Sequence, residues 1–232
     1  MDYFFYAFGH AFGLIFSFDQ EVYSIAWTSI RISTVAILCA TVLGVPLGLL
    51  ISFQDFPGKR LLLQILNTLM ALPTVVVGLL LYGMFTRQGP LGAWGILYTP
   101  TAVIIGECIL VLPIIWNLSI TAAESADPRL GPTCKSLGAS GLQQGIIFIQ
   151  EVRFALMAAV VTGFGRAIGE VGVAMMVGGN IAGETRVLTT AIVLAVSRGD
   201  FGLAIALGII LMVLVYLVNL VLTTVQQRSK AR

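Results

Sequence analysis

The stretch Lys135-Ser-Leu-Gly-Ala-Ser140 is a polar, glycine-containing segment between two long hydrophobic blocks of the chain. It lies in a loop of about thirty residues, 124–153, that carries charges of both signs. The Leu-Gly-Ala-Ser pattern predicts a helix, a tight turn at Gly138 and a second helix. A structured polar loop of this length is suited to docking against a soluble partner.

The composition outside this loop is typical of a membrane protein. The 232 residues are 58% hydrophobic and 10% charged, and the mean hydropathy is +0.98, whereas soluble domains contain about 25% charged residues. The net charge of +2 is too small to indicate a nucleic-acid partner. Cys39, Cys108 and Cys134 have no metal-site spacing, so we expect no metal and interpret them as small hydrophobes or a bystander thiol.

Hydrophobic length predicts five transmembrane helices, since about twenty apolar residues cross a bilayer. The predicted spans are 27–53, 61–86, 99–123, 154–180 and 201–227, which make residues 1–232 one transmembrane domain. Residues 1–24 are rich in phenylalanine, and the apolar part, 3–18, is short for a sixth span, so an interfacial helix is favoured. No removable signal sequence is evident, because the N-terminus lacks a basic region and a cleavage site.

The distribution of Lys and Arg predicts the orientation. One side of the predicted membrane domain collects eight cations, namely Lys59, Arg60, Arg129, Lys135, Arg153, Arg228, Lys230 and Arg232. The other side has three, namely Arg87, Arg186 and Arg198, while Arg31 and Arg166 lie near or inside spans. The central loop and the C-terminus are therefore expected in the cytoplasm and, with five spans, the N-terminus outside.

Motifs of catalysis are not found in the sequence. It contains no G-x-x-x-x-G-K-[ST] nucleotide-binding loop, no H-E-x-x-H and no G-x-S-x-G. The chain is therefore not expected to be an enzyme or to hydrolyse ATP itself.

Three stretches together resemble the permease subunits of bacterial ABC importers. The run Pro132-Thr-Cys-Lys-Ser-Leu-Gly-Ala-Ser140 is similar to the glycine-containing end of their cytoplasmic coupling motif, although Pro132-Thr-Cys134 replaces its Glu-Ala-Ala. Gly163-Phe-Gly-Arg-Ala-Ile-Gly-Glu170 and Leu69-Met-Ala-Leu-Pro-Thr-Val-Val-Val-Gly78 resemble segments of sulfate, molybdate and tungstate permeases. With the Ser197-Arg-Gly-Asp200 hairpin, the likeness is greatest to tungstate-type permeases.

The resemblance implies an all-α membrane protein with the type I importer permease fold, a homodimer in the bacterial cytoplasmic membrane. It implies two ATPase subunits, which would bind the ATP and Mg, so that this chain holds no cofactor. A periplasmic or lipoprotein binding protein would deliver tungstate or molybdate to loops near 87–98 and 181–200. Sulfate or another oxyanion remains an alternative substrate, and a self-contained secondary transporter remains an alternative class, although no inverted repeat is evident.

Candidate functional residues fall into two groups. The coupling helix, centred near Leu137, would contact the ATPase through Lys135, Ser136, Leu137, Gly138, Ala139 and Ser140. Candidates for pore lining or pore packing are Pro73, Thr74, Gly78, Glu107, Arg166, Glu170 and Asn180.

Physical arguments attach to three of these pore candidates. Arg166 and Glu170 are four apart, so one helical face carries both, and an internal ion pair is favoured over anion contact. Glu107 needs a partner within the membrane, for which Arg31 and Arg166 are both possible. Pro73 predicts a kink in the second span.

Overall fold

The computed structural model describes the backbone of residues 2–230 and the side chains of residues 5–227. Helices make up most of this part, and it contains no strand, which confirms the all-α prediction. Arg232 lies outside the described residues, as do the side chains of Arg228 and Lys230. The helices are α1 (Asp2–Phe16), α2 (Gln20–Ser52), α3 (Lys59–Met70), α4 (Thr74–Phe85), a 3-10 turn (Gly92–Trp94), α5 (Pro100–Glu124), α6 (Leu130–Ser136), α7 (Gly141–Glu151), α8 (Arg153–Ile168), α9 (Gly172–Gly178), α10 (Leu188–Ser197) and α11 (Phe201–Lys230).

Helices α2 and α5 form the central packed pair of the fold. The α2 helix begins after Asp19, whose carboxylate accepts the backbone N–H groups of Glu21 and Val22. Two glycines let the helices approach closely, as in small-residue contacts between membrane helices. A Cβ at Gly48 would lie 2.7 Å from the Cβ of Ser119, so only glycine fits this contact.

Three helices are long and apolar enough to cross a membrane alone: α2, α5 and α11. Two further pairs meet the same criterion only as bent units, α3 with α4 at 93° and α7 with α8 at 74°. By length and composition, the described residues therefore contain three candidate spans, or up to five when each bent pair counts as one. The five predicted spans equal the upper limit, which counts each bent pair as one span.

The predicted span 61–86 is a broken helix, and the predicted kink at Pro73 lies at the break. Helix α3 ends at Met70 and α4 begins at Thr74, with Pro73 extended at φ −63° and ψ 119°. Proline lacks the N–H that would continue the α3 hydrogen-bond ladder, so the chain changes direction here.

The predicted span 154–180, which Arg166 and Glu170 interrupt, is not one continuous helix. Helix α8 ends at Ile168, residues 169–171 are not helical, and a short helix α9 follows from Gly172 to Gly178. Averaged over 154–180 the sequence is apolar despite Arg166 and Glu170, so mean hydropathy does not locate this break.

The N-terminal helix α1 is 15 residues long, shorter than a bilayer requires. It packs against α11, and Gly202 of α11 lies directly against the His10 ring. Helix α2 begins at Gln20, so the predicted N-terminal segment 1–24 extends one turn too far. The interfacial position of α1 stays a prediction.

Candidate functional site

The loop 124–153 folds into two helices that form an elbow, by which we mean α6, the turn 137–140 and α7. Gly138 has φ +74°, in the left-handed region where glycine is strongly favoured. The N–H groups of Gly138 and Ala139 donate to the carbonyls of Lys135 and Cys134 at 3.0 Å, which closes the end of α6. The predicted helix, glycine turn and second helix are confirmed.

Local side-chain contacts fix the start of each of the two helices in the elbow. Ser140 and Gln143 form a capping box at the start of α7, in which the Ser140 N–H donates to Oε1 of Gln143 at 2.8 Å. Before α6, Oδ1 of Asp127 accepts the Arg129 N–H at 2.9 Å and Oδ2 accepts its guanidinium at 3.0 Å. The hydrogen bonds from the Arg129 side chain, and then from its backbone, hold the pKa of Asp127 below its usual range.

The elbow exposes apolar side chains among polar ones. Leu137 is 81% exposed and Leu142 is 77% exposed, while Cys134 of α6 is buried. Leu137 is not the centre of a helix, as predicted, but the residue that follows the end of α6 at Ser136. The glycine turn ends α6 there, and it leaves Leu137 protruding between two helices.

The predicted ion pair between Arg166 and Glu170 is present, with Nη1 of Arg166 2.7 Å from Oε2 of Glu170. Glu170 is only 2% exposed and lies beyond the end of α8. Its Oε1 accepts the N–H of Val173 at 3.1 Å in the first turn of α9, and its backbone carbonyl accepts the hydroxyl of Thr189 in α10 at 2.6 Å. Glu170 thus joins three helices at the break, which explains why α8 stops there.

Glu107 lies on α5 beside this break and is 1% exposed. The Ser33 hydroxyl of α2 lies next to its carboxyl group, and the carboxylate of Glu170 is close enough to act on it electrostatically, while Oε2 of Glu107 has no hydrogen-bond partner among the described residues. Within the described residues, neither predicted partner forms an ion pair with Glu107, since Arg166 is engaged by Glu170 and Arg31 is exposed. Glu107 therefore lies beside a hydroxyl and a second carboxylate, not beside the expected cation.

The glycine and threonine candidates of α4 lie against α9. A Cβ at Gly78 would be 3.2 Å from Met176 and Val173, and a Cβ at Gly172 would be 2.6 Å from Oγ1 of Thr74. Gly78 is buried, so in this chain it serves close helix packing. Pore lining by Pro73, Thr74 and Gly78 stays a prediction.

Asn180 lies two residues after the end of α9, has φ +53° and is part of the loop that leads to α10. Its Nδ2 donates to the carbonyl of Thr190 at 3.4 Å, and its own carbonyl accepts from Arg186 at 3.4 Å. Arg186 also lies 3.5 Å from Glu21 at the start of α2. The loop after α9 is therefore tied to both α10 and α2.

Sequence reasoning missed the hydroxyl groups that tie the buried helices together. Ser29 accepts the backbone N–H of Leu188 at 2.6 Å, so the start of α10 is bonded to α2, and Thr189 performs the equivalent role at Glu170. The sequence did contain a signal for the two serines of α2, because Ser29 and Ser33 are four residues apart and therefore share one face of the helix.

Comparison with known proteins places the chain in a defined group. Residues 44–231 match the family model described as the binding-protein-dependent transport system inner membrane component. The chain is 40% identical to the tungstate uptake system permease protein TupB of Peptoclostridium acidaminophilum, covering 98% of this chain and 100% of that protein. It is 39% identical to the TupB of Campylobacter jejuni, covering 95% and 92%.

A likeness of fold extends to solved structures. The chain superimposes on an inward-facing structure of the MetNI methionine ABC transporter with a TM-score of 0.71 and 19% identity, covering 87% of this chain and 93% of the other. At this identity the match concerns the fold alone, and it confirms the expected type I importer permease fold.

Proposed function

The chain belongs to the family of inner membrane components of binding-protein-dependent transport systems, and we propose that it imports tungstate, or the similar dianion molybdate, as the homodimeric permease of an ABC importer. As a permease subunit it is a multi-pass membrane protein and not an enzyme. The observation that carries the proposal is the elbow, a helix pair whose turn presents polar side chains and the exposed Leu137. The two tungstate permeases similar over nearly the whole chain support the choice of anion.

The elbow is the proposed docking site for the ATPase, with one ATPase subunit on each copy of the chain. Its docking residues are Lys135, Ser136, Leu137, Gly138, Ala139 and Ser140. An exposed apolar side chain on a polar surface is typical of a protein contact. ATP and Mg would be bound by the ATPase. Because the ATPase is cytoplasmic, the elbow and the C-terminus would lie in the cytoplasm and the N-terminus outside.

The helix contacts suggest how movement of the elbow would reach the transport pathway. Helix α7 continues into α8 through a bend of 74°, and Arg166 near the end of α8 is bonded to Glu170. Glu170 in turn caps α9, which packs against α4 at Gly78. A shift of the elbow would thus move α9 and α4, and we place these helices beside the transport pathway at the two-fold axis. Their movement would open the pathway alternately to each side of the membrane.

Uptake by the purified importer tests the function. The chain would be reconstituted in vesicles with its ATPase and binding protein, and ATP-dependent accumulation of tungstate, molybdate and sulfate would be measured. Tungstate or molybdate accumulation supports the proposal. Accumulation of sulfate alone would refute the anion while leaving the ABC importer assignment intact, and ATP-independent uphill uptake by the permease alone would refute the class.

Leu137→Ala tests the docking site in the same system. Because Leu137 is 81% exposed, the substitution should leave the fold intact and weaken ATPase association about tenfold, as at a binding hot spot of 1–2 kcal/mol. Leu38→Ala is the matched control, since Leu38 is an exposed leucine on α2 at 57%. Equal ATPase association for both variants would contradict the docking site.

A further inference from the structure

A long apolar groove runs along the outside of the fold between α2, α7 and α8. Its volume is about 650 Å³, and its lining residues are all apolar except Thr41 and Arg153. On α8 the lining extends from Arg153 to Val161, which is about 12 Å at the helical rise per residue. An apolar space of this length matches the hydrocarbon chain of a lipid.

One end of the groove carries a fixed cation. The Arg153 guanidinium donates from Nη1 to the carbonyl of Gln150 at 2.8 Å and lies 4.7 Å from the centre of the Phe154 ring. No ion pair of the described residues includes Arg153. The positive charge is therefore held at the mouth of the groove by neutral groups and remains available to an anion.

We propose that this groove binds one anionic phospholipid, with an acyl chain along α8 and the phosphate at Arg153. Charge complementarity selects this occupant, since an arginine donates well to phosphate oxygens and basic pockets between membrane helices bind anionic head groups. The site would lie in the cytoplasmic leaflet. The assignment to the cytoplasmic leaflet rests on the proposed orientation of the chain. The lipid site itself does not depend on which anion is transported.

Retention of lipid by the purified protein tests the site without reference to transport. The protein would be equilibrated with detergent micelles containing phosphatidylglycerol or phosphatidylcholine, and bound lipid would be counted by native mass spectrometry. Wild-type protein should retain phosphatidylglycerol in preference to phosphatidylcholine. Arg153→Gln should weaken that retention about fivefold, the factor for one cation near a lipid head group, whereas Arg60→Gln, at an exposed cation outside the groove, should not.

Two further variants test the apolar part of the site. Val42→Trp and Met157→Trp each add an indole to the groove, and Val42 is 71% exposed, so its variant should fold. Both should release phosphatidylglycerol while the elution volume of the protein stays unchanged.

Three results would overturn the proposal. The first is equal loss of phosphatidylglycerol from the Arg153 and Arg60 variants, which indicates non-specific attraction. The second is full retention in the Val42→Trp protein. The third is a disulfide between two copies of a Val161→Cys protein in membranes, because the groove would then be covered by a second copy.

Discussion

Replacing Arg166 by methionine would remove the cation from a carboxylate that is almost fully buried. Glu170 is 2% exposed and Arg166 lies 2.7 Å from it, so the variant would leave the carboxylate with the N–H of Val173 as its remaining partner. Methionine keeps most of the length of the arginine stem. Lost packing should therefore contribute little to the result.

The magnitude follows from the burial of the two partners. Breaking a buried ion pair by removing one partner costs about 3–5 kcal/mol. The Arg166 side chain is 35% exposed, so water already screens part of the interaction, and we expect a loss of about 2–3 kcal/mol in the free energy of unfolding.

Glu170→Gln should cost less than Arg166→Met. Its amide oxygen still accepts the α9 N–H, so the loss should be about 1 kcal/mol. The double variant should be more stable than the sum of the single changes predicts by about 1–2 kcal/mol, because both remove one interaction.

The assay is equilibrium unfolding in mixed detergent micelles, followed by circular dichroism. Arg129→Met is the matched control, since it breaks the pair with Asp127 at 3.0 Å whose side chains are 88% and 47% exposed. That exposed pair should contribute about 0–1 kcal/mol. A loss below about 0.5 kcal/mol for Arg166→Met, or strict additivity of the two changes, would refute the role assigned to the pair.

Three further predictions concern packing, a buried hydrogen bond and pH. Gly48→Ala should destabilise the protein by about 1–3 kcal/mol through a clash with the α5 backbone, whereas Gly208→Ala, which meets nothing within 4 Å, should be neutral or stabilising in the same unfolding assay. Ser29→Ala leaves the buried N–H of Leu188 without its acceptor and should cost about 1–3 kcal/mol; unchanged hydrogen exchange at that amide would contradict this. The pKa of Asp127 is lowered in the fold, so its carboxylate should stabilise the elbow fully above about pH 4. This stabilisation should be lost as the pH falls through the lowered pKa. Hydrogen exchange of the elbow amides should show this pH dependence, and Asp127→Asn should abolish it.

The elbow shows how far local sequence patterns reach. The Leu-Gly-Ala-Ser pattern is a local signal, and the turn at Gly138 between two helices formed as that pattern indicates. The coupling helix was predicted to be centred near Leu137, but α6 ends at Ser136, because the chain turns at Gly138. The pairing of Arg166 with Glu170 was also predictable, since it depends on a spacing of four residues.

The bilayer location, the positions of the long spans and the glycine turn of the elbow were determined by the sequence itself, because each depends on neighbouring residues or on average hydropathy. The break at 169–171, the placement of Glu107 beside Ser33 and the bond from Ser29 to α10 were decided only by the tertiary structure. Each of these joins groups from separate helices, and their energies depend on burial and on distances of about 3 Å that no local pattern encodes. The physical reason is that an apolar helix tolerates a polar residue wherever another helix supplies its partner.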